Sequence, residues 1–285
     1  DVVTYEFENL PVEQLKLLGE KLRPTIRSLE IAQDRAREKE FIESTGAKVA
    51  PWRAVSAFED VEEAVADLGL PLVLKTRRYG YDGKGQAWIR SADETAAAWD
   101  AIGREPAIAE AAVDFAAEFS VIVARWADGR HRFWDSPRNE HRDGILRRST
   151  VPCGDPVSAQ VEEAQAATLA IAEALGHVGV LTVEFFAAAN GPLVNEIAPR
   201  VHNSGHWTIE GSVTSQFEQH IRAICDLPPG LTGLMRGGAV MENLIGPDVE
   251  RWPELVAERG AHVHIYGKDE ARPGRKMGHV TRVKR

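Results

Sequence analysis

Apolar residues recur along the chain at spacings that predict short strands and helices in close succession. The continuous apolar run at residues 71–75 predicts a buried strand, whereas residues 29–45 and 156–175 have the spacing of amphipathic helices. Ser56 and Glu59 have the spacing of a capping box for a further helix. Because several strands are separated by tight turns rather than by helices, the pattern predicts an α+β fold rather than a doubly wound parallel sheet.

Composition narrows the class of protein. The chain has 285 residues, 44% of them hydrophobic, and a formal net charge of -9. This length suffices for a sizeable core, and the acidic balance argues against nucleic acid or an anionic membrane as partner. No apolar run approaches the roughly 18 residues that cross a bilayer, and Cys153 and Cys225 lack the spacing of a metal site. We therefore expect a cytoplasmic protein.

The first residues of the sequence are unusual. The chain opens on Asp1, without a methionine, in a strand-like run over residues 1–5. A strand at the very start of a chain normally has residues before it. We therefore expect this sequence to lack an N-terminal segment.

A glycine-rich loop follows the buried strand that ends in Lys75. Its three glycines in six positions remove side-chain bulk and permit positive φ, so that backbone N–H groups can approach phosphate oxygens. No Ser or Thr follows the lysine of the loop and a strand comes next, which excludes a Walker A loop and favours a flap over a triphosphate. An ordinary hairpin turn is the alternative. The loop consists of Gly80, Tyr81, Asp82, Gly83, Lys84, Gly85 and Gln86.

Two glutamates, Glu184 and Glu196, flank a turn predicted at residues 189–191. If this turn is a three-residue hairpin loop, the two glutamates lie directly opposite each other with their carboxylates on one face. Opposed like charges destabilise a sheet unless a cation lies between them, and Mg²⁺ prefers such oxygen ligands together with phosphates. On this register Asn195 points to the other face. Two glutamates on a solvated face are the alternative.

Polar and basic side chains are dense in two further stretches. Arg200, His202 and Asn203 follow the second glutamate, and a guanidinium offers a planar fork to a small oxyanion such as bicarbonate. Near the C-terminus four cations within nine residues suggest a phosphomonoester site, with a solvated basic tail as the alternative. These cations are Lys268, Arg272, Arg275 and Lys276.

Taken in order, these motifs resemble those of the N5-carboxyaminoimidazole ribonucleotide synthetases, a family of the ATP-grasp superfamily. The resemblance covers essentially the whole chain, and its matching stretches are residues 1–9, 33–35, 80–86, 195–207 and 272–279. The last two stretches are highly specific, whereas the glycine-rich loop is shared more widely among relatives. One position departs from the family pattern, since Arg138 stands where an acidic residue is usual.

The resemblance implies roles for individual residues. Glu184 and Glu196 would hold Mg²⁺ or Mn²⁺. Arg200, His202 and Asn203 would hold bicarbonate, and Lys268 and Arg275 would bind the ribonucleotide phosphate. The residues that would bind ATP or its surroundings are Arg35, Lys75, the loop from Gly80 to Gln86, Glu110, Ala111, Ala112, Val113, Glu118, His141, Asn195 and Glu196.

The resemblance also implies a reaction and an architecture. The reaction is ATP-dependent carboxylation of 5-aminoimidazole ribonucleotide with bicarbonate, through carboxyphosphate, in purine synthesis, by a homodimer. The fold would be an ATP-grasp fold, in which two α+β subdomains grip ATP, with a small β-rich C-terminal subdomain. We expect a remnant of a pre-ATP-grasp domain at 1–28, the ATP-grasp domain at 29–235 and the C-terminal subdomain at 236–285, with the loop on a small subdomain near 53–112.

Two other functions are compatible with these motifs. A sister ATP-grasp ligase, of the formate-dependent glycinamide ribonucleotide transformylase or biotin carboxylase type, would share the loop, although residues 199–207 and 272–276 favour the carboxylating ligase. A nucleotide-binding module without turnover would result if an N-terminal segment is needed to complete the acceptor site. ATP cleavage that depends on bicarbonate, with and without aminoimidazole ribonucleotide, discriminates among the three.

Overall fold

The computed structural model describes residues 1–80 and 84–284, so Tyr81, Asp82 and Gly83 of the glycine-rich loop lie outside the described residues. The chain opens with three helices, α1 (Val12–Leu15), α2 (Ile26–Ala32) and α3 (Arg35–Ser44). The strand predicted at residues 1–5 is reduced to a single bridge between Val3 and Leu22.

The helix predicted over residues 29–45 is in fact two helices, α2 and α3. Asp34 has an extended backbone, and its carboxylate accepts hydrogen bonds from the N–H groups of Ala36 and Arg37. This N-cap begins α3 and turns it away from α2. The single-helix prediction is wrong because the apolar spacing continues across the break.

A four-stranded antiparallel sheet forms the smaller lobe of the molecule, with the strand order β1-β4-β2-β3. Its elements are β1 (Trp52–Val55), α4 (Phe58–Leu68), β2 (Leu72–Thr76), β3 (Gln86–Ile89), α5 (Thr95–Ala101) and β4 (Ala107–Ala111). Both helices pack on this sheet over a core that includes Val61, Leu74 and Trp99. Asp60, rather than the predicted Glu59, accepts the backbone N–H groups that precede α4.

A nine-stranded antiparallel sheet forms the larger lobe. Its first strands are β5 (Phe115–Arg125), β6 (His131–Phe133), β7 (Arg138–Arg142), β8 (Ile145–Val151), β9 (Gly179–Ala188) and β10 (Gly191–Ala198). The helices of this part are α6 (Val161–Ala174), α7 (Thr208–Gly211) and α8 (Gln216–Ile224). Side chains alternate between the two faces of β5, so that Val121 joins a core with Phe41 and Ile171, whereas Ile122 joins a core with Trp207.

The C-terminal strands extend the same sheet. They are β11 (Ala239–Ile245), β12 (Ala261–Ile265) and β13 (Lys276–Val283), and α9 (Trp252–Ala257) lies between the first two. The strand order is β10-β9-β5-β7-β8-β11-β13-β12, with β6 paired to β5. The C-terminal part is therefore β-rich, as predicted, and β11 connects it directly to the strands that carry the site. In the part of the chain that is described, no helix is both long enough and apolar enough to span a membrane.

Candidate active site

A cavity of about 610 Å³ lies between the two sheets and collects most of the residues predicted from the sequence. Lys268 and Arg275 do not line it. The predicted residues that line it are Arg35, Lys75, Gly80, Lys84, Gly85, Gln86, Glu110, Ala111, Ala112, Val113, Glu118, His141, Glu184, Asn195, Glu196, Arg200, His202 and Asn203.

The two glutamates at the floor of the cavity lie on a β-hairpin, and their predicted pairing is confirmed. Glu196 on β10 is the register partner of Glu184 on β9. The reason differs from the one predicted, because Gly191 already pairs with Ala188 and the turn therefore has two residues. That register alone would place Asn195 opposite Glu184. A β-bulge at Asn195 adds one residue to β10, so that Glu196 rather than Asn195 lies opposite Glu184.

Helix α3 holds the bulge through two polar side chains that the sequence did not single out. A Glu38 carboxyl oxygen accepts the N–H of Ile197 at 2.6 Å, and Lys39 Nζ donates to the carbonyl of Asn195 at 3.0 Å. Both side chains are buried, with Glu38 only 2% exposed. Because a bulge leaves ladder groups unpaired, these contacts satisfy the backbone on either side of Glu196.

The opposed carboxylates differ in their protonation. Burial, together with the nearby charge of Glu196, raises the pKa of Glu184 to about 7. Burial works in the same direction on Glu196, but the Arg35 guanidinium, 3.1 Å away, prevails and holds the pKa of Glu196 below its usual range. Glu196 is 38% exposed, but only to the cavity that it lines. Two carboxylates that compete for ionisation favour a cation between them.

The donor set at this point fits Mg²⁺. Besides the two carboxylates, Asn195 lines the cavity, and its Oδ1 atom is buried without a hydrogen-bond partner. Among residues 1–80 and 84–284, no three His, Cys, Asp or Glu side chains come together as a metal cluster. Hard oxygen ligands that are too few to fill a coordination shell suit Mg²⁺, which keeps waters and phosphate oxygens.

Two lysines lie where the small sheet meets helix α3, and one of them, Lys75, lines the cavity. Lys75 at the end of β2 and Lys39 on α3 both pair with Glu110 on β4, the second at 2.5 Å. Burial opposes ionisation of Glu110, but Lys75 and Lys39 lower its pKa to about 2. Two amino groups thus share one carboxylate, and burial lowers the pKa of Lys75 against the opposing effect of Glu110. Such a site favours an anion such as a nucleotide phosphate.

The glycine-rich loop closes against β2 where it is described. Gly85 has a φ of +69°, and a Cβ atom there would lie 2.4 Å from Thr76 Oγ1. Its carbonyl accepts the N–H of Thr76 at 2.8 Å. Only glycine fits this close approach with a left-handed backbone. Gly85 therefore fixes the base of the loop at the cavity edge, and the role of the loop as a flap stays a prediction.

The opposite wall carries a histidine–carboxylate pair. His141 Nδ1 lies 2.8 Å from the Glu118 carboxylate, and both line the cavity. Burial lowers the pKa of His141, but the hydrogen bond with Glu118 and the charge of Glu184 outweigh burial and raise it. Phe115 and Phe186, with ring centroids 4.7 Å apart, form an apolar surface beside this pair. A wall of this kind can hold a base and hydroxyl groups.

The predicted oxyanion residues lie directly beyond the carboxylate pair. Arg200 Nε contacts a carboxylate oxygen of Glu8 at 3.0 Å, and its NH1 donates to the carbonyl of Val201. His202 Nδ1 lies 2.8 Å from Ser204 Oγ and 3.3 Å from the N of Ser204, and its Nε2 lies 3.4 Å from Glu184. Burial and the charge of Arg200 lower the pKa of His202 well below its usual value, so the imidazole is neutral. No role was predicted for Glu8 from the sequence, although it lies in the stretch 1–9 that matches the family.

The two cations predicted to bind the ribonucleotide phosphate lie outside the lining of the cavity. Lys268 donates to the carbonyl of Lys276 at 2.8 Å, and Arg275 donates to the carbonyl of Glu270 at 3.0 Å. Lys276, from the same basic stretch, is the member that lines the cavity. Their roles in phosphate binding stay a prediction.

A small antiparallel sheet facing a larger one across a cavity with a glycine-rich loop, buried cations and a carboxylate pair defines an ATP-grasp ligase. Sequence comparison agrees, because the ATP-grasp domain family matches residues 40–217 and the phosphoribosylaminoimidazole carboxylase C-terminal domain family matches residues 239–285. The chain belongs to the N5-carboxyaminoimidazole ribonucleotide synthase family of ATP-dependent ligases.

Individual relatives are similar over the whole chain. The N5-carboxyaminoimidazole ribonucleotide synthase of Brucella melitensis is 50% identical, over 100% of this chain and 79% of its own length. The crystal structure of the synthetase from Thermus thermophilus is 45% identical with a TM-score of 0.90, covering 99% of this chain and 77% of that one. The Aspergillus clavatus enzyme in complex with ADP and aminoimidazole ribonucleotide is 29% identical with a TM-score of 0.92, covering 100% and 77%. The resemblance and the fold predicted from the sequence are thereby confirmed.

Proposed function

We propose that this chain uses ATP and bicarbonate to carboxylate the exocyclic amine of 5-aminoimidazole ribonucleotide, giving N5-carboxyaminoimidazole ribonucleotide, ADP and phosphate. The observation that carries the proposal is the order of groups along one cavity. Arg35 lies 3.1 Å from Glu196, which is the register partner of Glu184. Glu184 in turn lies 3.4 Å from His202, which lines the cavity together with the other oxyanion residues, Arg200 and Asn203. A relative with the same fold is described in complex with ADP and aminoimidazole ribonucleotide.

The chemistry divides into two transfers. A bicarbonate oxygen attacks the γ-phosphorus of ATP, ADP leaves, and carboxyphosphate forms. The amine nitrogen of the imidazole then attacks the carboxyl carbon, phosphate leaves with the former bicarbonate oxygen, and the amine loses a proton. Because the first transfer brings two anions together, fixed positive groups around the cavity lower its barrier.

The residues of the chain supply that positive environment and orient the reactants. Lys75 and Arg35 face the phosphates from the side of the small lobe, and Arg200 offers its remaining N–H groups to bicarbonate. Glu184 and Glu196, with the oxygen of Asn195, would hold Mg²⁺, which neutralises charge on the transferring phosphoryl group. Neutral His202, with Nε2 3.4 Å from Glu184, lies within the same cluster and can donate one hydrogen bond from its ring.

Phosphate release under four conditions tests the proposal. The purified chain is given Mg-ATP alone, with bicarbonate, with aminoimidazole ribonucleotide, and with both. We expect release to require bicarbonate and to be fastest with both, accompanied by carboxylated imidazole. Release driven equally by formate would instead favour a transformylase-type ligase. Nucleotide binding without phosphate release under any condition would contradict a ligase.

A further inference from the structure

Asn243 lies on β11, away from the reacting groups, and contacts one of the oxyanion residues. Its Oδ1 accepts from Asn203 Nδ2 at 2.9 Å, and its Nδ2 donates back to Asn203 Oδ1 at 2.5 Å. The same Nδ2 also donates to the carbonyl of Leu146 on β8 at 2.8 Å. Asn243 is 6% exposed, whereas Asn203 lines the cavity.

The carbonyl of Leu146 determines which way both amides face. Strands β8 and β11 pair up to Arg148 and Glu242, and Asn243 follows directly on β11. A carbonyl can only accept, so the NH₂ group of Asn243 must face it. Its Oδ1 atom is then left for Asn203, whose own NH₂ group must point to that oxygen.

This ring of two hydrogen bonds leaves Asn203 with a fixed set of free groups. One N–H and one lone pair of Asn203 are engaged by Asn243, so its second Nδ2–H is available on the cavity side. Without Asn243 the Asn203 amide could rotate and present its oxygen, which repels an anion.

We infer that Asn243 is a positioning residue for the carboxyl-transfer site, and that it acts by holding Asn203 as a donor to the bicarbonate oxyanion. The inference rests on the proposed function, since it assigns the anion to the cavity beside Arg200. Strand β11 of the C-terminal part would then affect the reaction through Asn243, although Asn243 does not touch the substrate.

A double-mutant cycle with Asn203→Ala and Asn243→Ala tests the inference. The measured quantities are kcat/KM for bicarbonate, from phosphate release, and the Kd of ADP by direct titration. We expect each single variant to lose about tenfold or more in kcat/KM, as for a lost hydrogen bond to a charged group. The double variant should match Asn203→Ala within about twofold, because Asn243 then has nothing left to position. The Kd of ADP should not change.

A matched variant separates positioning from folding. In Asn243→Ser the hydroxyl group is one bond shorter than the amide, so it can satisfy the carbonyl of Leu146 only through a bridging water and cannot replace the ring with Asn203. We expect this variant to keep the unfolding midpoint of the wild type and to lose kcat/KM like Asn243→Ala.

The outcomes are distinguishable. The inference would be overturned if the two losses multiply to about a hundredfold in the double variant, or if both Asn243 variants keep full activity. In either case the proposed function would still stand, provided that turnover of the wild type depends on bicarbonate. A wild-type protein whose phosphate release ignores bicarbonate would overturn both.

Discussion

Removing the Glu38 side chain should impair the use of Mg²⁺ rather than the binding of nucleotide. Glu38 accepts the N–H of Ile197 at 2.6 Å and so holds the strand segment that follows the bulge at Asn195. In Glu38→Ala this buried N–H loses its partner, which costs about 1–3 kcal/mol. A strand that relieves this cost by losing the bulge would place Asn195 opposite Glu184 and turn Glu196 to the other face.

The matched control is Glu38→Gln. Burial, with a smaller contribution from the charge of Glu196, raises the pKa of Glu38 to about 8 against the opposing effect of Arg35. The carboxyl group is therefore largely protonated at pH 7, and a glutamine amide oxygen replaces it as acceptor without a large change in charge. The size of the side chain is also kept.

The assay is phosphate release at saturating ATP and bicarbonate as a function of free Mg²⁺. We expect Glu38→Ala to raise the Mg²⁺ concentration at half-maximal rate by about 5- to 150-fold, the equivalent of 1–3 kcal/mol, and Glu38→Gln to stay within about threefold. ADP binding without metal should be unchanged in both variants. An unaltered Mg²⁺ dependence in a folded Glu38→Ala protein would refute the role of Glu38 in setting the carboxylate pair.

Three further predictions follow from named contacts. Arg200→Lys should lower bicarbonate-dependent phosphate release about 10- to 150-fold with little change in ADP affinity, because lysine cannot contact both Glu8 and a planar oxyanion. An unchanged bicarbonate titration would show that Arg200 only supports structure. Lys75→Met should weaken ADP binding about tenfold or more while adenosine binding stays constant, since we propose that Lys75, beside Glu110, faces the phosphates. Equal losses for both ligands would contradict this. Burial lowers the pKa of His177 to about 3, so protonation of this residue favours the unfolded chain. The contribution of neutral His177 to the free energy of unfolding is therefore complete above pH 6.5 and is lost as the pH falls below that value. At pH 5 this loss is about 2 kcal/mol, and urea unfolding should show a correspondingly weaker pH dependence in His177→Gln.

The carboxylate pair shows how far the sequence could lead. Its glutamates were predicted to face each other, and they do, but through a two-residue turn and a bulge rather than through a three-residue loop. A bulge adds one residue to the register just as a longer loop does, so counting positions cannot separate the two. The contacts that select the bulge come from Glu38 and Lys39, more than 150 positions earlier in the chain.

Burial of polar side chains was the main feature that periodicity could not reveal. In helix α8 Ile221 is about half exposed, as is Val213 just before the helix, whereas Gln216 and Gln219 are fully buried. The Gln216 side chain accepts the N–H of His202 and donates to its carbonyl. Its amide thus satisfies the backbone of one of the oxyanion residues as a neighbouring strand would. Apolar spacing indicates a helix face, but such polar contacts with distant backbone can decide which face is buried.

Isotope transfer from bicarbonate tests the central claim most directly. If carboxyphosphate forms in this cavity, the oxygen that attacks the γ-phosphorus stays with the phosphate when the amine takes the carboxyl carbon. Turnover with ¹⁸O-labelled bicarbonate in unlabelled water should therefore give inorganic phosphate with one labelled oxygen, together with the carboxylated imidazole. Phosphate without the label, whose one added oxygen comes from water, would contradict the account, because ATP would then be hydrolysed without activating bicarbonate.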